Sequence, residues 1–266
     1  MKNKILVMYL SSAYVKSTAL NNFLKFYKKN KPGIKHELII CFKNLNIIEL
    51  KKRIKKLNNK YKYFVDPENK NDHEWGSIKR ICENYKNYYI FFLNDHSFPF
   101  CKNWLKIIAA KIKFKRVIGC SASNSSHFSN SFYRHENDGY FFATFKLLKY
   151  LFFIPKFPNP HIRATGFLVH AKNYLEFFQD KSIQSKFQSL LLESGKKSFT
   201  NFFLKKKYDV IVINNEGKIF YKHEWKLSET FSYKDQSGII ISDNKIRKYA
   251  ILNKRLKLKN SYKCWG

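Results

Sequence analysis

The sequence predicts an α/β protein with a mostly parallel sheet flanked by helices. Over roughly the first 100 residues, apolar runs of strand length alternate with segments whose apolar residues recur at helical spacing. One run, Tyr88–Leu93, is apolar at every position, which is typical of a parallel strand buried on both faces. The chain has 266 residues, 44% of them hydrophobic, enough to close a domain-sized core. We therefore expect a single domain, 1–266, that binds ligands beyond the carboxyl ends of its strands.

The first half alternates strand and helix, which predicts a doubly wound sheet. The predicted strands are short apolar runs: Ile5–Leu10, His36–Phe42, Lys60–Asp66 and Tyr88–Asp95. The predicted helices carry apolar residues three or four positions apart: Ser17–Asn30, Ile47–Asn59 and Ser77–Asn87. The first helix should end at Lys31-Pro32-Gly33, because proline and glycine stop helices.

The second half has a less regular order. Its predicted strands are Arg116–Ser123, His161–His170 and Tyr208–Asn215. Its predicted helices are Lys102–Phe114, Asn173–Asp180 and Ser189–Lys207. The lysine-rich tail, Tyr249–Gly266, should form a basic helix that frays or contacts a membrane.

The net charge limits the classes of partner. Lysine and arginine number 51 against 19 acidic residues, a formal net charge of +32 that comes mostly from lysine. Such a chain attracts polyanions, anionic lipid headgroups or phosphorylated substrates. A nucleic-acid-binding module is therefore a rival interpretation. The lysines are spread over the whole chain, however, and no zinc-finger or recognition-motif signature occurs, so we expect no nucleic-acid partner.

Cysteine usage predicts the compartment. The five cysteines are scattered and form no C-x-x-C pair, which favours free thiols in a reducing cytosol. The apolar run at Ile5–Leu10 is shorter than a signal-peptide core, so we interpret it as the first buried strand. We expect a cytoplasmic protein.

The most hydrophobic segment, Tyr140–Pro158, leaves two interpretations open. Lys146, Lys149 and Lys156 interrupt it, so it is too short in apolar length to cross a bilayer. It could be a buried or half-buried helix of the domain. Its bulky aromatic residues alternate with lysines, so it could instead lie in a membrane interface with the lysines reaching anionic headgroups.

The segment Tyr88–Leu105 carries the most specific chemical pattern. A buried strand ends in Asn94-Asp95-His96, a proline follows, and Trp104-Leu105 opens the next helix. This pattern resembles the family-two glycosyltransferases of the GT-A fold, in which a strand ends in an acidic D-x-D motif. The resemblance implies a divalent cation that bridges the donor diphosphate and neutralises charge on the leaving group.

The motif departs from that family, because Asp95 is its only carboxylate. His96 could bind the cation through an imidazole nitrogen and Asn94 through its carbonyl oxygen. A mixed nitrogen and oxygen site suits Mn²⁺ better than Mg²⁺. A metal-independent or inactive relative is the alternative, and Asp95 and His96 could also simply cap the following turn.

The resemblance extends to further donor-side positions. It implies that Ser11, Asp66 and Arg80 contact the nucleotide, together with Asn94 and Asp95. A guanidinium suits a diphosphate because it binds two oxygens at once, although Arg80 could equally be a solvated helix charge. The family's acidic turn after the second strand is absent, since Cys41–Asn46 stands there.

The second half resembles the acceptor side of the same family. By that resemblance Glu193, at a predicted helix start, is the general base that deprotonates the acceptor hydroxyl, or a helix-dipole partner. His161, Arg163 and Trp225 are expected at the acceptor, with Trp225 as an apolar platform for a sugar ring. His223 is expected as a late metal ligand, and for Trp225 and His223 a core or surface position is equally open.

Several short matches in one order resemble a group of uncharacterised bacterial glycosyltransferase-like proteins. They are Glu193-Ser194-Gly195, Ser198, Thr200, Trp225, Thr230-Phe231, Asp235-Gln236 and Asp243-Asn244. The sequence thus predicts an inverting glycosyltransferase on the cytoplasmic membrane face. It would move a sugar from a nucleotide diphosphate to a glycan or lipid-linked acceptor in surface polysaccharide or lipopolysaccharide synthesis. Residues 1–105 would bind the donor, and 106–266 the acceptor. A catalytically degenerate membrane-surface adaptor is the alternative.

Overall fold

The computed structural model describes residues 3–67, 72–131 and 140–266, with the side chains of 140–146 left out. The strands are β1 (Ile5–Ser12), β2 (Glu37–Lys43), β3 (Lys62–Val65), β4 (Tyr89–Leu93), β5 (Phe98–Pro99), β6 (Arg116–Gly119), β7 (Ala122–Ser123), β8 (His161–Ile162), β9 (Gly166–His170), β10 (Asp209–Ile213), β11 (Ile219–Phe220) and β12 (Ile241–Ser242). The helices are α1 (Thr18–Lys29), α2 (Ile47–Lys56), α3 (His73–Asn84), α4 (Trp104–Ala109), α5 (His127–Ser131), α6 (Tyr140–Phe153), α7 (Ala171–Phe178), α8 (Lys186–Ser194), α9 (Phe199–Lys205), α10 (Asn244–Ala250) and α11 (Lys254–Trp265), with a 3₁₀ helix at Lys222–Ser228.

The main sheet has eight strands in the order β11-β10-β6-β9-β4-β1-β2-β3. Strands β3, β2, β1 and β4 are parallel neighbours, and β6 and β10 are parallel to each other. Strand β9 runs antiparallel to both β4 and β6, and β11 is an antiparallel edge. The predicted α/β fold with a mostly parallel sheet is therefore confirmed.

The core lies on both faces of this sheet. Alternate residues of β1 enter different clusters: Leu6 and Met8 pack on the side of Trp75, while Val7 and Tyr9 pack on the side of Trp104. Every residue of β1 and β4 is buried. This two-sided burial explains why these strands are apolar at almost every position.

Two predicted elements of the second half are each divided in two. The strand predicted at His161–His170 is split because β8 pairs with β7, whereas β9 pairs with β4 and β6. The helix predicted at Ser189–Lys207 is split into α8 and α9 at Gly195. At Gly195 a Cβ atom would lie 2.6 Å from the carbonyl oxygen of Leu191, so the chain can pass this close only with glycine.

The C-terminal tail is packed onto the domain, so the expectation that it frays is wrong. Trp265 is buried, and its indole Nε1–H donates to the carbonyl oxygen of Phe231 at 2.9 Å. Leu258 and Tyr262 on the same helix remain exposed. Contact of this helix with a membrane stays a prediction.

Candidate functional site

A cavity of about 510 Å³ lies beyond the carboxyl ends of β1, β2 and β4. Ligands of parallel α/β sheets bind at this edge, because the strand-end loops meet there. Most of the lining residues are of polar types, and they carry both signs of charge. They are formed by Leu10, Ser12, Tyr14, Val15, Lys43, His73, Glu74, Asn94, Asp95, His96, Arg163, Ala164, Thr165, Lys186, Glu193, Asp243, Asn244 and Lys245.

Asp95 lies in this cavity, where the sequence placed it. The hydroxyl of Ser12, at the end of β1, donates to Asp95 Oδ2, and the Tyr9 hydroxyl donates to the Asp95 backbone oxygen at 3.0 Å. Burial raises the pKa of the Asp95 carboxyl, although the Ser12 hydrogen bond and the charges of His96 and Arg53 oppose that shift. The cavity thus holds a fixed, partly desolvated carboxyl group next to open space.

Asn94 lines the same cavity, but its amide is used to shape the loop. Its Nδ2 donates to the Ala164 backbone oxygen at 3.0 Å. Its Oδ1 accepts from the His96 backbone N–H at 3.0 Å and lies 2.7 Å from the Ser97 hydroxyl. An amide oxygen has two lone pairs. The His96 N–H occupies one of them, and the Ser97 hydroxyl can donate either to the other or to the Thr165 backbone oxygen, which is also 2.7 Å away, so the expected role of Asn94 as a metal or nucleotide ligand stays a prediction.

The predicted metal ligands are only partly brought together. Nε2 of His96 lies 4.0 Å from Oδ1 of Asp95, and both line the cavity. His223 is exposed on the 3₁₀ helix and is not part of the cavity wall, so the structure shows the surface position that the sequence also left open. Within the described residues, no group of three His, Cys, Asp or Glu side chains could hold a metal ion.

Glu193 lines the cavity, but it stands at the carboxyl end of α8 and not at a helix start as predicted. A dipole role is therefore excluded, because carboxylates are stabilised at the amino end of a helix. The Ala164 backbone N–H donates to Glu193 Oε1 at 2.9 Å. Burial favours a higher pKa for Glu193, but His161, the Ala164 N–H, Lys245 and Arg163 outweigh it and lower the pKa. Glu193 is thus a half-buried carboxylate that is ionised at neutral pH.

Glu74, near the start of α3, is a cavity residue that the sequence did not reveal. Burial, followed by the negative charges of Glu193 and Asp95, raises the pKa of Glu74 to about 7. A carboxyl group with that pKa can give or take a proton near neutral pH. The only signal in the sequence is an acid next to His73, and nothing there shows that α3 packs beside α8.

Arg163 and Asp243 form a buried ion pair at the cavity wall. Nη2 of Arg163 donates to Asp243 Oδ2 at 2.6 Å, and the Thr165 hydroxyl donates to the same oxygen at 2.9 Å. Asp243 Oδ1 accepts the Ile246 N–H at 2.7 Å and so caps α10. The Arg163 guanidinium also lies 3.6 Å from the Phe231 ring centroid. Arg163, expected at the acceptor, therefore mainly joins β8 to α10.

Three residues predicted on the donor side do not line the cavity, and their polar atoms bind protein groups. The Ser11 hydroxyl accepts from Arg53 Nη1 at 2.9 Å. Asp66 is bound by Lys43 at 3.0 Å and by Arg80 at 2.7 Å, and Arg80 also pairs with Asp72 at 2.8 Å. These contacts of Ser11, Asp66 and Arg80 stabilise the strand ends, and their expected contact with a nucleotide stays a prediction.

Two residues predicted on the acceptor side do not line the cavity either. Trp225 is only 1% exposed and belongs to the hydrophobic core, so it cannot act as a platform for a sugar. His161 is buried behind Glu193, with Nδ1 2.8 Å from the Asn159 backbone oxygen. Burial lowers the pKa of His161. His161 interacts electrostatically with Glu193 and does not line the cavity.

Cationic and aromatic groups complete the site. Lys186 on α8 and Lys245 on α10 also line the cavity. The rings of Tyr14 and His73, both lining residues, stack with centroids 5.6 Å apart, and Tyr14 is 59% exposed. A second cavity of about 390 Å³ adjoins the first through Asp95 and His96.

Comparisons with known proteins give similarity in fold. No protein-family model matches the sequence, and no curated protein is similar. The mannosyltransferase PcManGT from Pyrobaculum calidifontis, solved with GDP-Man and Mn²⁺, is 7% identical over 67% of this chain and 46% of its own, with a TM-score of 0.41. HddC from Yersinia pseudotuberculosis is 13% identical over 76% and 85%, with a TM-score of 0.42. The S. cerevisiae mannosyltransferase Ktr4p is 14% identical over 71% and 60%, with a TM-score of 0.37. The chain spans less than half of the PcManGT chain.

Proposed function

We propose that this chain is a glycosyltransferase that uses a nucleotide diphosphate sugar. The observation that carries the proposal is the cavity at the strand ends, in which Asp95, Glu74 and Glu193 face Lys186 and Lys245. Transfer of a glycosyl group needs a cationic environment for the leaving diphosphate and a carboxylate for the acceptor hydroxyl. The lysines and carboxylates that line this cavity supply both.

The diphosphate would lie between the strand ends and the two cavity lysines. Lys186 and Lys245 come from separate helices, so they can approach a bound diphosphate from two sides. The stacked Tyr14 and His73 rings also line the cavity, where an aromatic ring face can cover a base or a sugar. The base or sugar of a bound donor would therefore lie against these rings, with the diphosphate at the lysines.

A divalent cation, Mn²⁺ or Mg²⁺, would be held by Asp95 and His96. Their facing atoms, Oδ1 and Nε2, are 4.0 Å apart, and such ions in nucleotide sites commonly take one or two protein ligands with the remainder from phosphate and water. A bound cation would neutralise charge on the leaving diphosphate. The imidazole nitrogen favours Mn²⁺ over Mg²⁺.

The general base for an inverting reaction is Glu193, with Glu74 as the second candidate. Glu193 is ionised at neutral pH, but its lowered pKa makes it the weaker base. Glu74 has a pKa of about 7, which suits proton transfer near neutral pH. The two assignments predict different pH profiles, because each carboxyl must be ionised to accept a proton.

The acceptor we propose is a glycan or lipid-linked saccharide of a surface polysaccharide or lipopolysaccharide, on the cytoplasmic side of the membrane. All five cysteines are free thiols, which suits a reducing compartment. In the part of the chain that the structure describes, no helix has the length and apolarity needed to cross a bilayer. An adaptor that has lost catalysis is the second candidate, favoured by the presence of a single carboxylate at Asn94-Asp95-His96.

The test is release of nucleoside diphosphate from a panel of nucleotide sugars with Mn²⁺ or Mg²⁺. We expect turnover of at least one donor by the wild type and its loss in Asp95→Asn. Asp235→Asn is the matched control, because the Asp235 side chain is 93% exposed and lies outside the cavity. No turnover of any donor by the wild type would favour the adaptor.

A further inference from the structure

An apolar ridge stands on the surface at the carboxyl end of α6. We define the ridge as Leu148, Leu151, Phe152, Phe153 and Phe157, all of which are exposed, with Phe152 at 66%. Isolated exposed apolar residues are normal on a soluble surface, but a run of large ones within ten positions marks an interaction site. The ridge continues into a groove of about 480 Å³ formed with the α7–α8 connection and α8.

The ridge is mounted firmly on the domain. The Tyr150 and Phe187 rings stack with centroids 5.9 Å apart, and the Phe153 ring meets the Phe187 edge at 6.0 Å. The Lys196 backbone N–H donates to the Phe153 carbonyl oxygen at 3.0 Å, and Ile154 is buried directly after the helix. The exposed side chains therefore project from a packed helix and are ready to bind without reordering.

Lysines surround the ridge and the groove. Lys149 and Lys156 lie within the ridge in sequence and are exposed, and the Lys149 ammonium lies 4.1 Å from the Phe187 ring centroid. Lys196 and Lys197 are exposed at the groove. Lys181 and Asp180 also line the groove, and they carry opposite charges. The surface thus combines large apolar side chains with an excess of positive charge.

We propose that this ridge and groove dock the protein onto an anionic lipid bilayer. Apolar side chains between lysines match a bilayer interface, where acyl chains lie beneath negatively charged headgroups. A second copy of the chain is a poor partner, because it would bring the same lysines and a net charge of +32. Charge complementarity therefore selects the anionic surface.

The position of the ridge places the candidate active site beside that bilayer. Helix α8 contributes Gln188, Leu191 and Leu192 to the groove, while its Lys186 and Glu193 line the active-site cavity. A helix with its side chains is about 10 Å across. This geometry favours a lipid-linked acceptor, a step that rests on the proposed function, whereas docking itself does not.

Vesicle flotation of the full chain, without donor or acceptor, tests the docking. The probes are vesicles of phosphatidylglycerol and phosphatidylcholine, and vesicles of phosphatidylcholine alone. Phe152→Ser/Phe153→Ser should lower the affinity for the anionic vesicles about tenfold or more. Lys196→Gln/Lys197→Gln should lower it about fivefold per lysine.

The matched control is Ile47→Ser/Ile48→Ser. Ile47 and Ile48 are also exposed and lie on the lysine-rich helix α2, but they line neither the groove nor the active-site cavity. The control should bind like the wild type. Equal losses in the control and in the ridge variant would overturn the proposal, since binding would then come from overall charge and apolarity. Circular dichroism of each variant verifies folding.

Fluorescence quenching by brominated lipid gives a second readout, which does not depend on a variant that loses binding. All four native tryptophans are buried, so they should be quenched little. Phe152→Trp should be quenched strongly on anionic vesicles, and Ile48→Trp, at a position 77% exposed, should not. Quenching of Ile48→Trp alone, or of neither, would overturn the docking face. Docking without donor turnover would leave this inference standing and contradict only the proposed function.

Discussion

Asp66 and Asp95 follow two strands of the same parallel sheet, yet their surroundings differ. Asp66 is bound by Lys43, Arg80 and the Ser77 hydroxyl, all within 3.0 Å, so its charge is fully compensated inside the protein. The Asp95 carboxyl accepts one hydroxyl from Ser12 and faces a cavity. An aspartate at a strand end is therefore structural or functional according to whether protein groups already bind both of its oxygens.

The largest expected effect is on stability at Asp66. Asp66→Ala leaves the buried Lys43 and the half-buried Arg80 without one of their acids, so we expect a loss of about 3–5 kcal/mol in the free energy of unfolding. Chemical denaturation measures it. Burial raises the Asp66 pKa, but the bonds from Arg80, Ser77 and Lys43 lower it overall. The stabilisation is therefore present above the unfolded pKa and is lost as pH falls through the folded one. Unchanged stability would show that the cluster is not structural.

Asp95→Asn should have the opposite profile. We expect turnover to fall about 10²–10³-fold, because the cavity loses the carboxylate that we place next to the leaving diphosphate. The free energy of unfolding should not decrease, since the pKa of Asp95 is raised by burial and its charge is a cost to the fold. Turnover that equals wild type with Mn²⁺, or full wild-type activity with excess chelator, would remove the metal hypothesis.

The sequence predicted where Asp95 lies, but it did not predict that protein groups bind Asp66. The order of strands and the place of Asp95 could be predicted, because apolar periodicity and strand-end position are local features. The partners of Asp66 come from β2 and α3, and nothing near Asp66 in the chain identifies them. For Trp225 the sequence left a sugar platform and a core position equally open, because burial depends on contacts distant in sequence.

The resemblance pointed to Glu193, which lines the candidate cavity, but Glu193 stands at the end of its helix and not at the start. The break between α8 and α9 at Gly195 means that Glu193, predicted near the start of a long helix, lies in the last turn of a short one. Glu74 was missed because its burial and raised pKa arise from the approach of Glu193 and Asp95. Proton-transfer properties of a carboxyl group follow from its neighbours in space, which single-sequence patterns do not give.

The general base is assigned by a pair of variants. Glu193→Gln keeps the shape of the side chain and removes its basicity, so we expect turnover to fall roughly 10²-fold with donor affinity nearly unchanged. Initial rates and donor titrations measure the two. Should Glu193→Gln keep wild-type turnover while Glu74→Gln loses it, Glu74 is the base. In that case the wild-type rate should fall as pH drops below about 7, the pKa of Glu74.

The smallest expected effect is a gain in stability at Glu74. Its pKa is raised from 4.5 to about 7, so the folded state binds its proton more tightly than the unfolded state. Stability is therefore lost as pH rises from about 4.5 to 7. Glu74→Gln removes this loss and should be more stable than wild type by about 1–3 kcal/mol at pH 8, with no gain at pH 4. Denaturation at the two pH values decides it; equal differences at both would contradict the raised pKa.

The most direct test of the central claim is calorimetric titration of nucleoside diphosphates and their sugars into the folded protein. The account predicts binding that weakens about tenfold or more in Lys186→Gln/Lys245→Gln, because these lysines line the cavity on the side facing the strand ends. Lys28→Gln/Lys29→Gln, an exposed pair on α1, is the control with the same change in charge and should bind like wild type. Absence of binding by any nucleotide, or equal weakening in both pairs, would contradict the assignment of this cavity as a donor site.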